Sequence, residues 1–210
     1  MKLLRIPVIA ILAIGMVACG GSREDELTDA LNELEESLES IDDDFSASSD
    51  NEWSTVEGDG FEIDIPGHME EMYDLNAEAA LQYGYVEQVG YEVQEHYLIV
   101  LMETKEEIAS YELDMEFDAM SYRDISVESL RDGLDSYTVL TDNPEVETIN
   151  GMDCVKNEMR GALGEVNVYY QLGVFEGENA FYQVLTWTVE EQKSSFKSDM
   201  EASIDSFTEL

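Results

Sequence analysis

The sequence predicts an α+β domain, a mostly antiparallel sheet flanked by helices and preceded by an amphipathic tether helix. Three observations predict it. Apolar residues alternate strictly at Phe61-Glu62-Ile63-Asp64-Ile65 and again from Val166 to Val174, the period of strands with distinct faces. Asn150-Gly151 stands between two strand-like runs, the strongest short signal for a type I′ hairpin. Two other stretches, near 126–137 and 188–207, repeat their apolar residues at helical spacing instead. Strands joined by hairpins with one internal and one terminal helix make an α+β arrangement rather than a parallel one.

The N-terminus is an address. Lys2 and Arg5 form a positive start, Ile6 to Ala18 is uncharged and mostly aliphatic, and Met16-Val17-Ala18-Cys19 closes the run. The apolar run falls short of the about 20 residues a helix needs to cross a bilayer. The segment resembles the signal peptide of bacterial lipoproteins, and Met16-Val17-Ala18-Cys19 resembles their lipobox, with methionine where leucine is usual. The resemblance implies cleavage between Ala18 and Cys19 and a diacylglyceryl group on the Cys19 thiol. Residues 1–18 are then the signal, and lipid on Cys19 makes the membrane a partner. Gly20 rather than aspartate after the cysteine resembles outer-membrane lipoproteins of the bacterial cell envelope. The cluster Ser22-Arg23-Glu24-Asp25-Glu26 resembles the surface-export signal of Bacteroidota.

Residues 19–52 read as the lipidated cysteine, an acidic amphipathic helix and a linker. Leu27, Leu31, Leu34, Leu38, Ile41 and Phe45 recur at spacings of four and three between acids. The stripe suits a helix that lies on the main domain; the alternative is weak self-association through 27–45. Asp42 to Asn51 is polar and has little to bury.

From residue 53 to 210 the elements follow in order. Phe61 to Ile65 is a strand stopped by Pro66-Gly67. Leu81, Tyr83 and Tyr85 alternate as a second. Tyr97 to Met102 is apolar throughout, as in a central strand covered on both faces. Ser126 is expected to cap a helix with Val127, Leu130, Leu134 and Tyr137 on one face. Glu145 to Ile149 and Asp153 to Arg160 pair across Asn150-Gly151. The long alternation at 166–174 turns at Glu176-Gly177-Glu178-Asn179 into Phe181, Gln183, Leu185 and Trp187. Thr188-Val189-Glu190-Glu191 matches a capping box for the last helix, whose inner face is Phe196, Met200, Ile204 and Phe207.

Taken together, Phe61-Glu62-Ile63-Asp64-Ile65-Pro66, the mid-chain helix, three later strands and the close Phe196…Ile204-Asp205-Ser206-Phe207 resemble PsbP-like domains. Bacterial lipoproteins of the DcrB and LpqN kind share that fold. The resemblance covers roughly residues 53–210 and implies an α/β/α sandwich that binds or scaffolds for a protein or small ligand. It carries over no functional residues.

Composition narrows the rest. Net charge is −39, from 49 acidic and 10 basic residues, a surface that repels phosphate backbones and excludes nucleic acid as a partner. The acids are spread over the chain, as adaptation to a saline medium predicts. A calcium role is the alternative, but no Asp-x-Asp-x-Asp-Gly loop is present. With Cys19 acylated, Cys154 has no disulfide partner and reads as a small buried hydrophobe rather than a reactive thiol. His68 and His96 are far apart in sequence and lack metal-ligand spacing, so no metal is expected. No Gly-x-Ser-x-Gly, Walker or Gly-x-Gly-x-x-Gly pattern occurs, and no cofactor or catalytic residue is assigned. Abundant carboxylates leave a membrane-tethered hydrolase as the alternative to a binding protein. Tyr83, Tyr85, Tyr97, Tyr169, Tyr170 and Tyr182 fall on strands. They read as cross-strand packing or, in the sharper view, as candidate ligand-binding residues.

Overall fold

The computed structural model describes residues 52–111 and 117–210. The signal segment, Ala18 and Cys19, the 27–45 stripe and the linker lie outside the described residues. A large antiparallel sheet forms the middle layer. Its strands are β3 (Glu70–Glu71), β4 (Leu81–Val89), β5 (Glu92–Thr104), β6 (Ser136–Val139), β7 (Val146–Ile149), β8 (Met152–Leu163), β9 (Val166–Glu176) and β10 (Ala180–Val189). In space they run β3-β4-β5-β10-β9-β8-β6, with β7 also paired to β8. A small sheet of β1 (Ser54–Glu57), β2 (Phe61–Ile65) and β11 (Thr208–Glu209) stands apart. Three helices complete the domain: α1 (Lys105–Ser110), α2 (Ala119–Asp132) and α3 (Lys193–Ser206). None of the described helices is long and apolar enough to cross a membrane.

Period-two alternation divides the large sheet into two buried faces. On one, Tyr97, Ile99, Met159, Tyr170, Leu172 and Leu185 pack under α1 and α2 through Ile108, Tyr122 and Leu130. On the other, Leu98, Val100, Cys154, Phe175, Tyr182 and Val184 meet Ile204 of α3, Phe207 and the β2 residues Phe61, Ile63 and Ile65. The apolar run Tyr97–Leu101 is buried throughout because β5 lies between β4 and β10 and contributes to both cores. The expected hairpin is present. Asn150 and Gly151 hold φ of 48° and 88°, the left-handed pair a type I′ turn demands, and Val146–Ile149 pairs with Met152–Val155.

Helix starts depart from the sequence expectation. Ser126 lies inside α2, where its hydroxyl donates to the Tyr122 carbonyl at 2.8 Å. The cap is Asp118, reciprocally bonded with Ser121. Tyr137 lies beyond the helix, in β6. Thr188 likewise stays in β10 and donates to the Glu95 carbonyl at 2.6 Å, so cross-strand pairing outcompetes the capping box. A single turn at Glu190–Gln192 then leads into α3, which has no side-chain cap. Another reciprocal box, Thr104-Lys105-Glu106-Glu107, opens α1.

Candidate functional site

The six tyrosines do not converge. Tyr97 and Tyr170 are buried on the α2 side of the sheet, while Tyr169 and Tyr182 are buried on the α3 side. Tyr83 and Tyr85 are half-buried beside the α3-side core. Adjacent positions such as Tyr169 and Tyr170 point oppositely because the strand pleat requires it.

The fold does bring together the two histidines. His96 is a β5 residue whose neighbours across the sheet are Tyr85 and Thr188. His68 lies in the turn after Pro66, closed by the Met69 amide donating to the Pro66 carbonyl at 2.9 Å. His68 Nε2 lies 3.4 Å from His96 Nδ1, and His96 Nε2 lies 2.9 Å from Thr186 Oγ1. The Phe196 ring of α3 stacks on His96 at 5.1 Å between centroids, and Tyr85 meets His68 edge-on at 4.9 Å. Burial, and then the neighbouring His68, push His96 down to about 3. Burial also lowers His68, partly opposed by Asp199. Both rings are therefore neutral near pH 7. His96 is a poor base, closed off by Phe196, and the pair acts as a joint pinning the 66–69 turn to the sheet. Among the described residues no cluster of three or more His, Cys, Asp or Glu could hold a metal ion. Sequence reasoning missed this pairing because the partners are 28 residues apart and no local pattern links them.

A second buried constellation is closed. Glu103, in β5, accepts hydrogen bonds of 2.7 Å from the hydroxyls of Tyr111 and Tyr122 beneath α1 and α2. Two donors satisfy a carboxylate that burial would otherwise penalise. Cys154 is also buried, and loss of solvation pushes its thiol up to about 12, far from a reactive thiolate.

An open feature among the described residues is a cleft of about 500 Å³ at the β3–β4 edge, formed by residues 70–74 with Gly84 and Val86. Gly84 lets Met72 pack directly on the backbone of β4 at the cleft wall: a Cβ there would sit 2.2 Å from the Met72 sulfur and 3.0 Å from Tyr97. Its rim carries Glu70, Glu71 and Asp74 beside Tyr73, which is 77% exposed, and Val86, 57% exposed. The arrangement offers apolar contact inside an anionic rim, chemistry suited to holding a cationic and partly apolar group.

No family model matches this sequence, and no curated protein matches it either. The fold is similar to that of LpqN, described as involved in cell envelope biogenesis of Mycobacterium tuberculosis. The likeness has a TM-score of 0.52 at 8% identity, over 75% of this chain and 90% of that one. It is also similar to cyanobacterial PsbP from Synechocystis sp. PCC 6803, with a TM-score of 0.51 at 13% identity over 81% of this chain and 99% of that one. The fold class is therefore that of the PsbP-like structures, α+β with a mostly antiparallel sheet.

Proposed function

We propose that this chain is a lipid-anchored protein of the bacterial cell envelope, on the outer membrane where the organism has two, whose folded domain binds a protein or small ligand. The edge cleft is the observation that carries the binding reading. Its exposed Tyr73 and Val86 put apolar surface in an acidic rim, and binding such a surface releases water at modest conformational cost. The histidines are spent on packing, and Glu103 is held between tyrosines, so neither supplies a group to that cleft. The Met16-Val17-Ala18-Cys19 junction supports the anchor. The shared fold with an envelope-biogenesis protein agrees with the location.

Two measurements test it. Cys19→Ser should release the protein from membranes, and retention after a high-salt wash would overturn the lipid anchor. A photo-crosslinking residue at Tyr73 should yield a discrete adduct in cells. The same residue at Glu165, in the exposed β8–β9 turn, should yield none. Identical products from both positions would overturn the cleft as the binding site.

A further inference from the structure

We propose that the free edge of β4 takes an extended, basic segment of a partner protein as an added strand. The inference rests on the binding reading above and specifies its occupant. β3 is only two residues long and pairs with β4 at Glu70↔Gly84 and Glu71↔Tyr83. Beyond Gly84 the chain leaves the edge, because the 66–69 turn is pinned to the other face of the sheet by His68 on His96. From Tyr85 to Val89, β4 pairs with β5 on one side and, among the described residues, with no strand on the other.

The direction of each backbone group follows from two hydrogen bonds. The Met72 amide donates to the Gln82 carbonyl at 2.9 Å, so Gln82 faces outward. The Ala80 amide donates to the Val100 carbonyl at 2.8 Å, so Val100, paired with Leu81, faces β4. With period two, the N–H and C=O groups of Val86 and Gln88 point outward, where an incoming strand would bond to them. Such unpaired edges template strand addition, with main-chain bonds giving affinity and side-chain pockets giving selectivity. Here the strand carries exposed apolar residues as well: Val86 and Val89 are exposed in β4, and Tyr91 in the following turn and Val93 at the start of β5 extend that apolar surface. Alternate side chains of an added strand would continue the Gly84–Val86 face into the cleft beside Tyr73.

Charge selects the occupant. Between Glu24 and Thr104 the sequence has no Lys or Arg, so this edge and its surroundings are anionic without internal compensation. A second copy would bring the same acids against themselves. The seven described Lys and Arg residues are each within ion-pair distance of a carboxylate of their own chain. An added segment rich in Lys or Arg meets the complementary potential instead, which both accelerates encounter and discriminates against self-pairing.

The test uses the full chain and three synthetic octapeptides: alternating Lys/Val, alternating Glu/Val, and the Lys/Val peptide N-methylated at alternate residues. The Lys/Val peptide should slow hydrogen exchange at the Val86 and Gln88 amides by at least tenfold. The other two should bind at least tenfold more weakly. Val86→Pro removes one outward amide and should abolish the protection. Should that variant fail to fold, Glu71→Lys with Asp74→Lys should still weaken the Lys/Val peptide tenfold at low salt. Protection spread evenly over the acidic surface, or equal binding of the N-methylated peptide, would overturn strand addition. Protection that rises with protein concentration alone would identify a second copy as the occupant and overturn the basic partner. A Tyr73 adduct in cells would then still stand for the binding reading, so the two failures are distinguishable.

Discussion

The first half of the domain, to Thr104, and the second half, from Lys105, solve the problem of acidity differently. The first half has no Lys or Arg at all. In the second, Lys156 sits between Glu147 and Asp205, Arg160 meets Glu190, and Lys193 and Lys197 converge on Glu158. Exposed ion pairs contribute little each, so the second half gains mainly local order from them. The first half has no such pairs and relies on its core and on uncharged hydrogen bonds such as those of Gln82 with the backbone of Leu75 and Asn76. Phe61, Ile63 and Ile65 of β2 are essentially without exposed surface, and Tyr97 to Val100 is nearly so. On the strand-addition proposal, that uncompensated anionic surface would also disfavour pairing of the β4 edge with a second copy.

If the first half depends on packing, truncating its core should cost most. Phe61 stacks on Phe207 at 5.3 Å and meets Tyr182 edge-on at 5.9 Å. Phe61→Ala should destabilise the domain by about 3–5 kcal/mol, read from denaturant midpoints. A loss under about 1 kcal/mol would mean that the small sheet contributes little to the fold.

Acid should act next, through His96. Its folded value of about 3 lies well below the ordinary value near 6.5, so the unfolded chain binds the extra proton first. Its contribution is complete above about pH 6.5 and is lost as pH falls toward 3. The loss is about 2 kcal/mol between pH 6.5 and 5, before most carboxylates titrate. His68, lowered in the same direction, adds to the slope, and Asp199 beside it moderates this. His96→Gln should flatten stability between pH 7 and 5. An unchanged slope would show that the joint does not carry the acid sensitivity.

Much of this architecture is legible in the chain. The alternation at 61–65 and 166–174 and the Asn150-Gly151 turn identify strands because their signals are local and period-specific. Helix starts are less legible. Ser126 and Thr188 have capping chemistry, yet tertiary partners claim their hydroxyls, and Asp118 and Thr104 take the role instead. The site is least legible of all. His68 and His96 meet only because β2 lies over the face of β5 that carries His96, and spacing in sequence has no bearing on that. The edge of β4 becomes visible only once strand order is known, since a central and an outer strand can share one pattern.

The paired half should respond more weakly to loss of its charges. Glu158 accepts from Lys197 and from the Tyr169 hydroxyl, both at 2.7 Å. Burial pushes its carboxyl up, but the Lys197 and Tyr169 bonds and the Lys193 charge together hold it below the ordinary value. Its contribution is thus present above the usual carboxylate range and lost as pH falls through it. Because these groups are about a third exposed, replacing Lys193 and Lys197 together by Met should cost less than about 1 kcal/mol at pH 7. The cost should be smaller near pH 3, because lowering the pH progressively protonates Glu158. Thermal melts at the two pH values decide it, and an equal loss at both would assign the effect to packing.

The smallest effect should have the opposite sign and lie in the first half. Glu57 of β1 stands directly opposite Glu62 of β2, a like-charge pair with no cation within the same sheet. Glu57→Lys converts that repulsion into attraction across the strands and should raise the melting temperature by about 1–2 °C at low salt. Molar sodium chloride shortens the screening length from about 8 Å at physiological ionic strength to about 3 Å. The wild-type domain should therefore stabilise between low and molar salt at pH 7, while the Glu57→Lys gain shrinks toward zero. If the wild-type melting temperature falls instead, self-repulsion is not what the acids impose on the fold. Their density would then have to answer to a binding partner, and the anionic edge of β4 is where that partner's charge should first be sought.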